Sequence, residues 1–120
     1  NESPEVIAAE DYNTWLRIAQ LTDQFLYLPR RLGYYFIHDQ GMSQKDMSIP
    51  ARHAVDEFIS MLSASQRLKL EANFRYTTGR FNYLAGNYSD TKDDLLFAMK
   101  HGYKMTMIKS AALLCMSIYK

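Results

Sequence analysis

The sequence predicts a mainly α fold: one helix, a short pair of strands, then an antiparallel bundle of about four helices. Three observations predict it. Apolar residues recur at helical spacing almost without interruption from Ser48 onward. Two short aromatic and aliphatic runs, at 25–28 and 32–37, stand apart from that pattern. The breaks between helical segments are only two to five residues long, which makes consecutive helices pack antiparallel.

Within the stretch from Glu10 to Leu21, Tyr12, Trp15, Leu16 and Ala19 recur at helical spacing, with Asp11 where an N-cap would sit. Thr22-Asp23 breaks it. Phe25-Leu26-Tyr27-Leu28, closed by Pro29, suits a strand that stops there, and Leu32-Gly33-Tyr34-Tyr35-Phe36-Ile37 suits a second. His38 to Ser48 lacks periodicity and reads as loop, so the order resembles the tail of a mixed α/β unit. Ser48 then caps a helix that tolerates Pro50 in its first turn and lines up Ala51, Val55, Phe58, Ile59 and Leu62. Ser63-Ala64-Ser65 separates it from a longer helix carrying Leu70, Phe74, Phe81 and Ala85, with Gly79 inside and Gly86-Asn87 at its end. A third helix opens near Ser89-Asp90, turns Thr91, Leu95, Ala98 and Met99 inward, and stops at Gly102. The last runs from about Lys104 to Ile118.

Composition narrows the function classes. With 120 residues there is room for one compact unit, and 48% hydrophobic residues exclude a disordered chain. Fourteen Lys and Arg against thirteen Asp and Glu leave +1, too little to draw the chain to nucleic acid. Cys115 is alone and cannot form an internal disulfide; with seven methionines and no signal-peptide pattern it points to a reducing, cytoplasmic setting. The longest nearly apolar stretch, Ala111 to Tyr119, falls far short of the ~20 residues of a transmembrane segment.

Glu10-Asp11, followed by Trp15-Leu16-Arg17, Gly33-Tyr34-Tyr35, His38 and Met42-Ser43, resembles in order and spacing the acidic motif and subsequent strand pair of bacterial family-2 glycosyltransferases of the GT-A fold. The resemblance runs from about Ala9 to Ser43. It implies that residues 1–48 are the C-terminal remnant of a catalytic domain and 49–120 a helical extension. It further implies transfer of a sugar, with inversion, from a nucleotide-sugar donor to a hydroxyl of a glycan or lipid-linked acceptor in surface polysaccharide biosynthesis. Asp11 would be the general base, Glu10 its helper, and His38 a ligand to the divalent metal, Mn or Mg, that holds the donor diphosphate. Family members often carry Arg where this chain has Phe36, so either Arg30 or Arg31 would contact the diphosphate instead or the donor site is weakened. The donor half, with its Asp-x-Asp, has no counterpart here; the segment alone is expected to be inactive and to hold no cofactor.

Taken without the resemblance, Glu10 and Asp11 are acids at a helix start, His38 is a loop histidine, and Arg17, Arg30 and Arg31 face solvent. Tyr83 to Tyr88, with Thr91, Leu95, Ala98 and Met99, resembles a single tetratricopeptide unit, which keeps open an alternative: a non-catalytic helical protein-interaction module. The last helix is apolar on nearly every face, with Lys104, Lys109 and Lys120 at its margins but no strong cationic face of interfacial type. It therefore calls for cover by protein, within the chain or as a homodimer. The location expected is cytoplasmic and peripheral at the inner face of the membrane.

Overall fold

The computed structural model describes residues 7–34, 36 and 45–118. Among the described residues five α-helices follow one another: α1 (Glu10–Leu21), α2 (Ser48–Val55), α3 (Ala64–Leu84), α4 (Tyr88–His101) and α5 (Lys104–Ile118), with a 3₁₀ helix at Asp56–Met61 continuing α2. α3 packs on α4, α4 on α5, and α5 also touches α3, while α2 sits between α1 and α3.

The expected strand pair does not form. Among the described residues there is no strand, and the segment from Thr22 to Tyr34 is irregular. Among the described residues, Phe25 to Leu28 keeps only local backbone bonds, Phe25 N–H to Asp23 O and Arg30 N–H to Leu28 O. A strand is stable only when a neighbour pairs with its backbone and covers one face. Here Leu26 and Tyr27 are 85% and 84% exposed, so neither condition is met. The chain is thus a helical bundle preceded by a helix and an irregular apolar segment, not by the end of an α/β sheet.

Helix boundaries also depart from expectation in informative ways. Ser48 is already inside α2; its side chain is buried and accepts a hydrogen bond from Thr78 Oγ1 at 2.8 Å instead of capping. Ser63 is the residue that caps. Its Oγ accepts from Gln66 N–H while Gln66 Oε1 accepts from Ser63 N–H, a reciprocal pair that satisfies two donors at the start of α3. Gly86 takes φ +84°, a conformation that favours glycine, and lets the chain reverse into α4 within three residues.

The most deeply enclosed positions of the bundle are small residues and one leucine, with Phe74 and Tyr83 of α3 buried beside them. Leu95 and Ala98 on α4 and Ala72 on α3 are fully enclosed, and Thr91 on α4 and Ser110 on α5 are buried as well. Leu95 lies over Gly79, so close that a Cβ added at Gly79 would meet its Cγ and Cδ2 at 3.1 Å. This spacing explains a glycine in mid-helix, where it costs about 1 kcal/mol relative to alanine. Polar ties cross the same surfaces. Arg52 of α2 forms a two-pronged pair with Glu71 of α3, and Arg75 of α3 donates to Glu71 and stacks over the Phe97 ring of α4 at 4.3 Å. The Arg52 guanidinium holds the Glu71 carboxyl below its ordinary range, whereas burial lifts that of nearby Asp94. Leu95→Ala, which removes the largest enclosed side chain, is expected to lower unfolding free energy by about 2–5 kcal/mol, measured by chemical denaturation. A loss below about 1 kcal/mol would mean α3 and α4 are not packed through this contact.

Candidate functional site

The acidic pair begins α1. The N-cap position belongs to Ala9, so Glu10 and Asp11 are the first two residues of the helix, and Asp11 lies two places deeper than the N-cap expected for it. Ala8, just before, has φ +81°, a left-handed conformation that side chains other than glycine's rarely adopt. The chain therefore enters α1 through a strained bend, and Asn13 N–H closes the first turn on Ala9 O at 3.0 Å. Both acids are exposed. The Asp11 carboxylate accepts from the Tyr12 N–H at 2.7 Å, which satisfies one otherwise unpaired donor of the first turn and leaves its other oxygen toward water.

What fixes α1 is a polar cluster two residues further on. Asn13 is 1% exposed, and its carboxamide uses both ends: Nδ2 donates to Ala54 O at 2.7 Å and to Glu57 Oε1 at 2.8 Å, while Oδ1 accepts from Arg17 Nε at 3.1 Å. Arg17 in turn grips both Glu57 oxygens through its Nη2, at 2.8 and 2.9 Å. Ala9 packs against Ala54 beneath this cluster. The Asn13 amide and, after it, the Arg17 guanidinium stabilise ionised Glu57 and hold its carboxyl below the ordinary value of 4.5. The helix whose first turn bears Asp11 is thus joined to α2 and the 3₁₀ helix by a closed set of hydrogen bonds.

Beside α1 lies a cleft of about 260 Å³ whose wall includes Tyr12, Leu16, Phe58, Leu70 and Tyr103. Asp11 does not line it, although its neighbour Tyr12 does. Arg30 and Arg31 are exposed in the irregular segment, and among the described residues neither pairs with a carboxylate. His38 lies outside the described residues. Among those residues no three His, Cys, Asp or Glu side chains gather where they could share a metal ion. Compared with family models, curated proteins and solved structures, the chain shows no significant match.

Asn13 and Glu57 carry no functional signal in the sequence. A lone asparagine one residue after a tyrosine reads as solvent-facing, and only its spacing of four from Arg17 hints at a shared face.

Two outcomes follow from the cluster. Asn13→Ala leaves the buried Ala54 carbonyl unpaired and is expected to cost about 1–3 kcal/mol. Amide exchange should speed up in α1 and stay unchanged in α3 to α5; uniform acceleration would contradict a local anchor. Asn13→Asp replaces a donor with a second carboxylate facing Glu57, and should loosen α1 more at neutral pH than in acid. In the parent chain the sign is opposite. Because folding depresses Glu57, its contribution is full above 4.5 and disappears as pH falls through the depressed value. Emission from Trp15, the only tryptophan and half-exposed on α1, reads both effects.

Proposed function

We propose that this chain is the acceptor-side region of a bacterial inverting glycosyltransferase of family 2, whose nucleotide-sugar site is formed by other parts of the enzyme. The observation that carries the reading is Asp11: a carboxylate at the first turn of a helix, open to solvent on one side and fixed on the other by the Tyr12 N–H. A base must be rigid relative to the donor yet reachable by the acceptor, and α1 combines an anchored body with an exposed tip.

In the reaction, the Asp11 carboxylate takes the proton of the acceptor hydroxyl as its oxygen bonds to the anomeric carbon. The nucleoside diphosphate leaves from the opposite face with the bonding electrons, and the configuration inverts. Glu10, adjacent and exposed, orients the acceptor. The irregular segment supports the same reading from another side. Phe25, Leu26, Tyr27, Leu32, Tyr34 and Phe36 are all more than half exposed, far more apolar surface than an isolated helix pair leaves to water. A catalytic domain packed against this segment would cover them. The implied acceptor is a glycan or a lipid-linked saccharide, in surface polysaccharide synthesis.

The α3–α4 hairpin, with Gly79 seated against Leu95 and Tyr83 edge-on to Tyr88 at 5.5 Å, favours a second reading, a helical interaction module. One substitution separates the two. In an enzyme that contains this region, Asp11→Asn is expected to lower turnover by about 10²–10⁴ while nucleotide-sugar binding persists. Turnover within about twofold of the parent, with partner binding intact, would favour the module and overturn the catalytic assignment.

A further inference from the structure

The last helix leaves an apolar stripe outward, while Leu113 and Leu114 on its other side are half-buried. Thr106, Ser110 and Ser117 face the bundle: Thr106 Oγ1 donates to Asn73 Oδ1 at 2.7 Å, Ser117 Oγ to Leu114 O at 2.8 Å, and Ser110 Oγ is enclosed without a partner among the described residues. Met105, Ile108 and Met116 stand 62%, 54% and 53% exposed. With Lys109, Ala112 and Cys115, also exposed, they recur at three- and four-residue steps and form one stripe along α5. An amphipathic helix of a free-standing bundle would turn this stripe inward.

Charge says what the stripe meets. From Leu95 to Lys120 the sequence contains no Asp or Glu but four lysines and His101. Lys104 and Lys109 are exposed on α5 itself, and Lys100 is exposed at the end of α4. A second copy of α5 would bring the same lysines and no carboxylate, so pairing two stripes sets cation against cation. An anionic bilayer answers both features, since acyl chains take the methionine and isoleucine side chains while headgroups take the ammonium groups, whose long stems reach outward. At 15 residues α5 is about 22 Å long, too short to span the roughly 30 Å hydrocarbon core and suited to lying in its surface.

We infer that α5 is a membrane-surface helix that docks this chain on an anionic lipid bilayer through Met105, Ile108 and Met116, with Lys104 and Lys109 held by the headgroups. Such docking is independent of the glycosyltransferase reading and needs no activity to test.

Cys115, the only cysteine, lies on the stripe and accepts an environment-sensitive fluorophore. The labelled chain is titrated with vesicles of equal parts phosphatidylcholine and phosphatidylglycerol, and with phosphatidylcholine alone. Flotation of the unlabelled chain serves as a control for the label. The expected result is a blue shift and flotation with the anionic vesicles, reversed by salt, and neither with the neutral ones. Lys104→Gln with Lys109→Gln should weaken partitioning about 25-fold, at roughly fivefold per lysine. Ile108→Ser with Met116→Ser should abolish it while circular dichroism shows unchanged helix, because both side chains are exposed. Absence of binding to anionic vesicles, equal binding to neutral ones, or a blue shift that grows with protein concentration without lipid would each overturn the inference. The last outcome would assign the stripe to a second copy of the chain.

Discussion

The buried carboxamide of Asn13 is the interaction on which the candidate site depends. Its two donor bonds, to Ala54 O and Glu57, join α1 to a part of the chain more than forty residues away in sequence, and its acceptor bond from Arg17, one turn along α1, orients the carboxamide. An amide suits this place because it can donate and accept at once without carrying charge into an enclosed position. The charges sit outside it, on Arg17 and Glu57, half-exposed, where they need no full desolvation. Were α1 held only by Ala9 on Ala54, the apolar contact would be too small to fix the tip that bears Glu10 and Asp11.

The bundle to which α1 is joined is packed on a different principle. Its enclosed residues are mostly alanine, glycine, serine and threonine, with Leu95 the one large apolar side chain fully inside among the described residues. Small residues let α3, α4 and α5 approach closely. Phe74 and Tyr83 are buried, whereas Leu84, Leu96, Ile108 and Met116 are exposed. Two surfaces result, the irregular aromatic segment after α1 and the outer stripe of α5. In the readings proposed above, the first would meet a catalytic domain and the second a lipid surface. Among the described residues no helix is long and apolar enough to cross a membrane.

Much of the helical half is legible in the sequence because its cues are local. The spacing of Thr91, Leu95 and Ala98 marks the inner face of α4, and Gly86 and Gly102 mark the turns. The strand pair misleads because an apolar run such as Phe25 to Leu28 has the composition of a strand whether or not a partner exists to pair with it. Pairing is a tertiary condition, and among the described residues nothing meets it. The orientation of α5 is hidden for a related reason: a helix apolar on nearly every side has no weak face to turn outward, so the fit of Ser110 and Ser117 against the bundle decides. At the site, the acidic pair is visible by motif, two places off in helix register, whereas the Asn13 cluster is not, since Glu57 lies in a distant segment.

The geometry of proton transfer can be seen directly in a structure of the whole enzyme with an unreactive nucleotide-sugar analogue and an acceptor bound. If Asp11 is the base, one of its carboxylate oxygens lies within about 2.6–3.2 Å of the acceptor hydroxyl, on the face of the sugar opposite the diphosphate. An acceptor hydroxyl held by another carboxylate, with Asp11 directed into bulk water, would contradict that role.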